Sequence, residues 1–123
     1  MPAIKTILTV DDSATMRELL HSTLAELGYR VLQAVDGAQG VEKLQSEGAD
    51  VIITDINMPV LDGIGFIREV RGDPRYRATP ILVLTTEGDP GVKDMARLAG
   101  ATGWIRKPFD PQKLAEAIRR VMV

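Results

Sequence analysis

Five times in 123 residues, a short run of apolar, β-favouring residues gives way to a longer amphipathic stretch. The runs are TILTV (6–10), RVLQA (30–34), VIITD (51–55), ILVLT (81–85) and GWIR (103–106). Strict β–α alternation leaves few folds open. Parallel neighbours need a crossover long enough to hold a helix, and such crossovers put helices on both faces of the sheet. The pattern predicts one α/β domain over residues 1–123, a five-stranded parallel sheet covered on both sides. TILTV, VIITD and ILVLT are the most continuously apolar, as strands buried on both faces must be, so they belong at its centre.

Helix periodicity fills the intervals. Met16, Leu19, Leu20, Thr23, Leu24 and Leu27 keep a 3.6-residue period that predicts a helix from about Ala14 to Leu27, stopped by Gly28. Further helices fit 37–47, 63–71, 91–99 and 111–122, the last opening on Pro111. The longest irregular stretch is RGDPRYRATP (71–80).

In open parallel sheets, ligands sit beyond the carboxyl ends of the strands. Asp11 and Asp12 follow the first strand, Asp55 ends the third, Thr85 ends the fourth and Lys107 follows the fifth. Taken singly, each has an ordinary reading: Asp11-Asp12-Ser13 as a helix cap, Asp55 and Thr85 as turn residues, Lys107 as a solvated charge. Taken together, they gather three carboxylates, a hydroxyl and an ammonium at one edge. Three carboxylates that close repel one another unless a cation lies between them. An all-oxygen ligand set, with no cysteine and a single histidine in the chain, favours Mg²⁺ over a transition metal. Such a site suits phosphoryl transfer, in which positioning and charge neutralisation dominate and a carboxylate can be the nucleophile.

Composition excludes several other classes. Apolar residues make up 45% and charged residues 26%, the balance of a folded domain rather than a disordered chain. No apolar stretch is long enough to span a membrane, no leader pattern opens the chain, and the absence of cysteine suits a reducing compartment; the expected location is the cytoplasm. Residues 1–90 carry 8 Lys or Arg against 14 Asp or Glu, and residues 91–123 carry 7 against 3. That excess is too small to indicate nucleic-acid binding, but it leaves a basic surface near Lys93, Arg97, Arg119 and Arg120. His21 reads as a surface histidine beside Arg17 on the polar side of the first helix, away from the acidic edge.

The motifs VDDS (10–13), DINMPVLDG (55–63), LTTEG (84–88) and KPF (107–109) make the whole chain resemble the receiver domain of two-component response regulators. It is most similar to the single-domain CheY-like proteins of bacterial chemotaxis. The resemblance implies a flavodoxin-like (βα)5 fold with strand order 2-1-3-4-5, an order carried over from the family. It also implies that Asp55 is the phosphoacceptor, with Mg²⁺ held by Asp12 directly, by Asp11 chiefly through water, by Asp55 and by the backbone carbonyl of Asn57. Thr85 and Lys107 would contact the phosphoryl group, and the Lys107–Pro108 peptide would be cis. Pro59 and Gly63 would shape the loop into the third helix. Trp104 stands where the family has a rotating switch aromatic, Tyr or Phe; its alternative role is plain packing. Thr86 replaces a commoner Ala or Gly at the mouth of the site and bears on how fast phosphate is lost. Asn57 and Glu87 match the chemotaxis pattern at positions that tune that rate.

By resemblance, then, the chain is a monomeric switch and not an enzyme in the turnover sense. It would be phosphorylated by a CheA-like sensor histidine kinase, act on a partner such as a flagellar motor switch protein, and be reset by a phosphatase. A phosphate sink, a relay intermediate or a kinase regulator would use the same chemistry. The chain ends directly after its fifth helix, so no DNA-binding output domain is expected. A Mg²⁺-dependent phosphohydrolase is the competing enzymatic reading, weakened because Asn57 stands where such enzymes have a second aspartate. Flavin or nucleotide binding lacks any glycine-rich phosphate loop.

Overall fold

The computed structural model describes residues 4–58, 60–86 and 90–122. Among them, five strands alternate with five α-helices: β1 Thr6–Val10, α1 Ala14–Glu26, β2 Arg30–Ala34, α2 Gly37–Glu47, β3 Val51–Asp55, α3 Gly63–Gly72, β4 Ile81–Thr85, α4 Pro90–Ala99, β5 Gly103–Arg106 and α5 Pro111–Val121. All neighbours pair in parallel, and the sheet order is β2-β1-β3-β4-β5. The three most apolar runs are indeed the central strands. Helix ends depart from the periodic pattern by single residues, and the stretch expected to be irregular contains a 3₁₀ turn, Pro74–Tyr76. No helix among the described residues is long and apolar enough to cross a membrane.

The period-2 alternation of the strands sorts their side chains into two cores. Leu8, Val10, Ile52, Ile81 and Val83 face α2, α3 and α4, where they meet Leu44, Phe66, Ile67, Val70 and Ala96. Ile7, Val51, Ile53, Leu82, Leu84 and Ile105 face α1 and α5, packing on Leu20, Leu24, Leu114 and Ile118. The apolar stripe of α1 is narrower than its periodicity suggests. Leu20 and Leu24 are buried, whereas Leu19 and Leu27 lie at its margins and stay exposed.

Helix starts are fixed by side-chain caps. Ser13, Asp36, Asp62 and Asp110 each accept an N–H from the first turn of the helix that follows. These caps set where each strand end hands over to its helix, and so where the functional edge lies. At the opposite edge, Arg71 ties three segments together. Its Nε donates to the carbonyl of Gly100 at 3.0 Å, and its Nη1 donates to the carbonyls of Tyr76 and Thr79, each at 2.7 Å. Gly100 turns out of α4 with φ +122°, and a Cβ there would stand 2.6 Å from the Arg71 side chain.

Gly63, the first residue of α3, is the closest approach of helix to strand end. Its N–H donates to the Ile56 carbonyl at 2.8 Å. A Cβ at this position would run into the Asp55 carbonyl and stand 2.7 Å from the Ile56 Cα. Gly63→Ala should therefore cost about 1–3 kcal/mol in urea unfolding and displace the Asp55 segment. Gly72, at the far end of the same helix with nothing within 4 Å of its would-be Cβ, is the control. Gly72→Ala should be neutral or slightly stabilising, and equal effects at the two positions would refute the steric account.

Candidate functional site

The carboxyl edge of the sheet brings the expected residues together. Asp11, directly after β1, is wholly buried. Its Oδ1 accepts the Ser13 N–H at 2.9 Å and its Oδ2 accepts from Lys107 Nζ at 3.2 Å. Lys107 also stands 3.3 Å from Asp55 Oδ2, so one ammonium bridges two carboxylates whose side chains are 0% and 14% exposed. Asp55 Oδ1 accepts the N–H of Ile56 at 2.8 Å. The Lys107–Pro108 peptide is cis, as the resemblance implied.

Asp11, Asp12 and Asp55 each bring a carboxylate oxygen within 4.8 Å of the others. Asp12 is exposed and stands on the open side of the cluster. The donor set is entirely oxygen and carries three negative charges against the single Lys107, so it suits a hard divalent cation. The charge balance also acts on Asp55 itself. Burial raises its carboxyl above the ordinary value of 3.8, and the neighbouring Asp11 adds to that, while Lys107 and the Ile56 N–H pull it back down. Desolvation wins, so the ionised acid is held at a cost.

Beside Asp55 lies a cleft of about 90 Å³, lined by Asp55, Ile56, Asn57, Leu84, Thr85, Thr86 and Val92. Thr85 is buried in its wall, and Asn57 and Thr86 are exposed at its rim. On the other side of Thr85, a smaller apolar cavity of about 50 Å³ runs beneath Trp104, between α4 and strands β4 and β5. That volume holds a few waters and no indole. Trp104 itself lies outward, 53% exposed, with Lys93 Nζ 4.4 Å from the ring centroid. The basic surface expected from composition is thus partly spoken for: Lys93 sits on the indole and Arg97 pairs with Asp94 at 3.1 Å. Glu87 and Pro59 lie outside the described residues. His21 is exposed on α1, as expected.

One placement differs from the sequence reading. Arg17 shares a face of α1 with His21, four residues on, but it is not turned away from the acidic edge: it is half-buried, and its Nη1 donates to the Asp11 carbonyl at 2.7 Å. Helical side chains lean toward the N-terminus, and four residues back from Arg17 the chain is turning out of the acidic edge. A signal was present. The first turn of α1 carries no acid, and a cation so near the positive end of a helix is unfavourable unless something else holds it.

The family model for the response regulator receiver domain matches residues 7–119. The chain belongs to the response regulator receiver family. Over 118 residues, this receiver is 42% identical to the chemotaxis protein CheY1 of Helicobacter pylori, covering 94% of this chain and 95% of that protein. Its fold superimposes on the chemotaxis response regulator CheY4 of Vibrio cholerae with a TM-score of 0.92 and 44% identity, covering 97% and 99% of the two chains. It is also similar to the receiver domain of the sensor histidine kinase PA1611 of Pseudomonas aeruginosa, at 32% identity, TM-score 0.91 and 98% coverage of each chain. That structure holds a magnesium ion in its active-site cleft. Receivers are signalling domains, and the similarity spans nearly the whole of this one.

Proposed function

We infer that this receiver is a phosphorylation-activated switch, with Asp55 as acceptor and a phosphohistidine of a sensor kinase as donor. The observation that carries the reading is the Lys107 bridge: an ammonium and two more carboxylates gather around one half-buried aspartate beside a cleft. An oxygen of Asp55 forms a bond to phosphorus as the phosphorus–nitrogen bond breaks, and the leaving imidazole nitrogen takes the electron pair. Asp11, Asp12, Asp55 and the Asn57 carbonyl would hold Mg²⁺, which supplies charge neutralisation between carboxylates and the incoming anion. Lys107 neutralises a second phosphoryl oxygen, and the Thr85 hydroxyl hydrogen-bonds to a third. Thr86 and Asn57, at the rim, govern the entry of water and so the lifetime of the acyl phosphate, together with Glu87.

The switch runs through Thr85, which borders both the cleft and the cavity under Trp104. Drawing Thr85 toward a phosphoryl group frees space for Trp104 to turn inward, provided α4 yields, because the present cavity is smaller than the ring. Phosphate contacts made only in the inward arrangement supply the differential affinity, and a coupling of about 1–3 kcal/mol suffices. The surface of α4, β5 and α5 is then the output face. The similarity to chemotaxis proteins supports motor control as the output, with cytoplasmic location, a CheA-like kinase and a monomeric state. Two other receiver roles, phosphate sink and relay, would leave the same chemistry without an effect on swimming.

Intact-mass spectrometry after treatment with acetyl phosphate tests this. One labile phosphoryl group should appear with Mg²⁺ and none in EDTA. The emission of Trp104, the only tryptophan in the chain, should change in step, and Thr85→Ala should blunt that change without preventing labelling. Equal labelling in EDTA would sink the site assignment. Constant emission in a fully phosphorylated sample would make Trp104 a packing residue.

A further inference from the structure

Arg17 donates to the carbonyl that joins Asp11 to Asp12, at 2.7 Å, from a half-buried position in the first turns of α1. That carbonyl belongs to the one peptide plane lying between the buried and the exposed carboxylate. Asp11 is otherwise held on three sides: its N–H donates to the Ala34 carbonyl at 3.1 Å, its Oδ1 accepts from Ser13 and its Oδ2 from Lys107. With Arg17 on the carbonyl, every polar group of Asp11 is engaged. The rotation of the peptide that follows, and with it the direction in which Asp12 leaves the chain, is set by the guanidinium.

Resting on the reading of Asp11 and Asp12 as cation ligands, we propose that Arg17 is a positioning residue for the divalent cation: its hydrogen bond to the Asp11 carbonyl aims Asp12 at the site. It touches neither cation nor phosphoryl group. Its effect opposes what its charge alone would do. A guanidinium near a cation site repels the cation, so if charge were all that mattered, removing Arg17 would tighten Mg²⁺ binding. If the hydrogen bond orients Asp12, removing it loosens binding, because groups that orient a metal ligand typically matter by about 10-fold to 100-fold in affinity. The two accounts differ in sign.

The test is calorimetric titration of Mg²⁺ into the wild-type chain, Arg17→Ala and Arg17→Lys, each unphosphorylated and each first shown folded by circular dichroism. Positioning predicts affinity lowered about tenfold or more in Arg17→Ala. It also predicts recovery in Arg17→Lys, which retains a donor of similar reach. As a second readout, the Mg²⁺ concentration for half-maximal labelling by acetyl phosphate should rise in Arg17→Ala while the rate at saturating Mg²⁺ is kept. Affinity equal to or tighter than wild type in folded Arg17→Ala would overturn the proposal. So would a loss that Arg17→Lys does not recover. If the wild-type chain itself binds no Mg²⁺ at millimolar concentration, it is the cation reading of Asp11 and Asp12 that fails. If Arg17→Ala does not fold, Arg17→Met, of similar length and without a donor, takes its place; weakened affinity there supports positioning, and wild-type or tighter affinity refutes it.

Discussion

Replacing Asp55 with asparagine is expected to abolish covalent phosphorylation and, in the same variant, to make the domain harder to unfold at neutral pH. The first effect removes the nucleophile. The second follows from the site's own electrostatics. Asp55 holds its proton more tightly folded than unfolded, because burial and the Asp11 carboxylate outweigh Lys107 and the Ile56 N–H. Stability linked to such a group is complete below the ordinary carboxylate range, about pH 4, and is lost as pH rises through the folded-state value. Asparagine abolishes that loss. In EDTA, the urea midpoint of Asp55→Asn should exceed wild type at neutral pH, and the gap should close on acidification. Adding Mg²⁺ should narrow it too, since wild type gains more from a cation bound only by the folded state. A variant less stable than wild type at neutral pH would show that the Lys107–Asp55 pairing dominates over desolvation.

Lys107→Ala should have the opposite sign and a larger size. Asp11 is wholly buried and Asp55 is half-buried, and among the described residues the cation paired with both is Lys107. Removing one partner from a buried pair typically costs about 3–5 kcal/mol, because the charge left behind has neither water nor partner. The loss should be seen in EDTA and should shrink in Mg²⁺, which competes for the same carboxylate oxygens. Mg²⁺ affinity should be maintained or improved. Phosphorylation, where it still occurs, should change Trp104 emission less than in wild type, because one of the two phosphoryl contacts is lost while Thr85 keeps the other. An alanine variant as stable as wild type in EDTA would mean that Lys107 is solvated and the bridge does not form in solution.

The frame of the molecule was legible because its signals are local. Each strand is written as a short run rich in apolar, β-favouring residues, and the five residues of the acidic edge each sit at a strand end or one to two residues past it, so topology alone delivers Asp11, Asp55, Thr85 and Lys107 to one place. Directions of side chains were less legible. Arg17 lies at a helical position that reads as polar surface, and only its hydrogen bond back to Asp11 shows otherwise. Lys107 was expected beside a phosphoryl group; that it bridges two carboxylates depends on a contact across 96 positions of sequence. Trp104 sits in a strand whose alternation allows either an outward or an inward ring, and the cation–π contact with Lys93 on α4 holds it outward. The tie made by Arg71 left no pattern at all, because its partners are carbonyls, which every residue has.

That tie bears on how motion passes through the domain. Arg71 pins the Gly100 carbonyl, just past the last residue of α4, to the segment leading into β4, at the edge of the sheet farthest from Asp55. The helix rises about 15 Å from its start near the cleft to this anchorage. We expect α4 to behave as a lever with its fulcrum at Gly100: a small push on Val92, beside the cleft, becomes a tilt whose throw is greatest in the first turn and fades toward Leu98. Hydrogen exchange would read this as protection that changes on phosphorylation in the first turns of α4 and holds steady in the last. A uniform change along the helix would mean that it slides or melts as a whole and that the Arg71 end is no pivot.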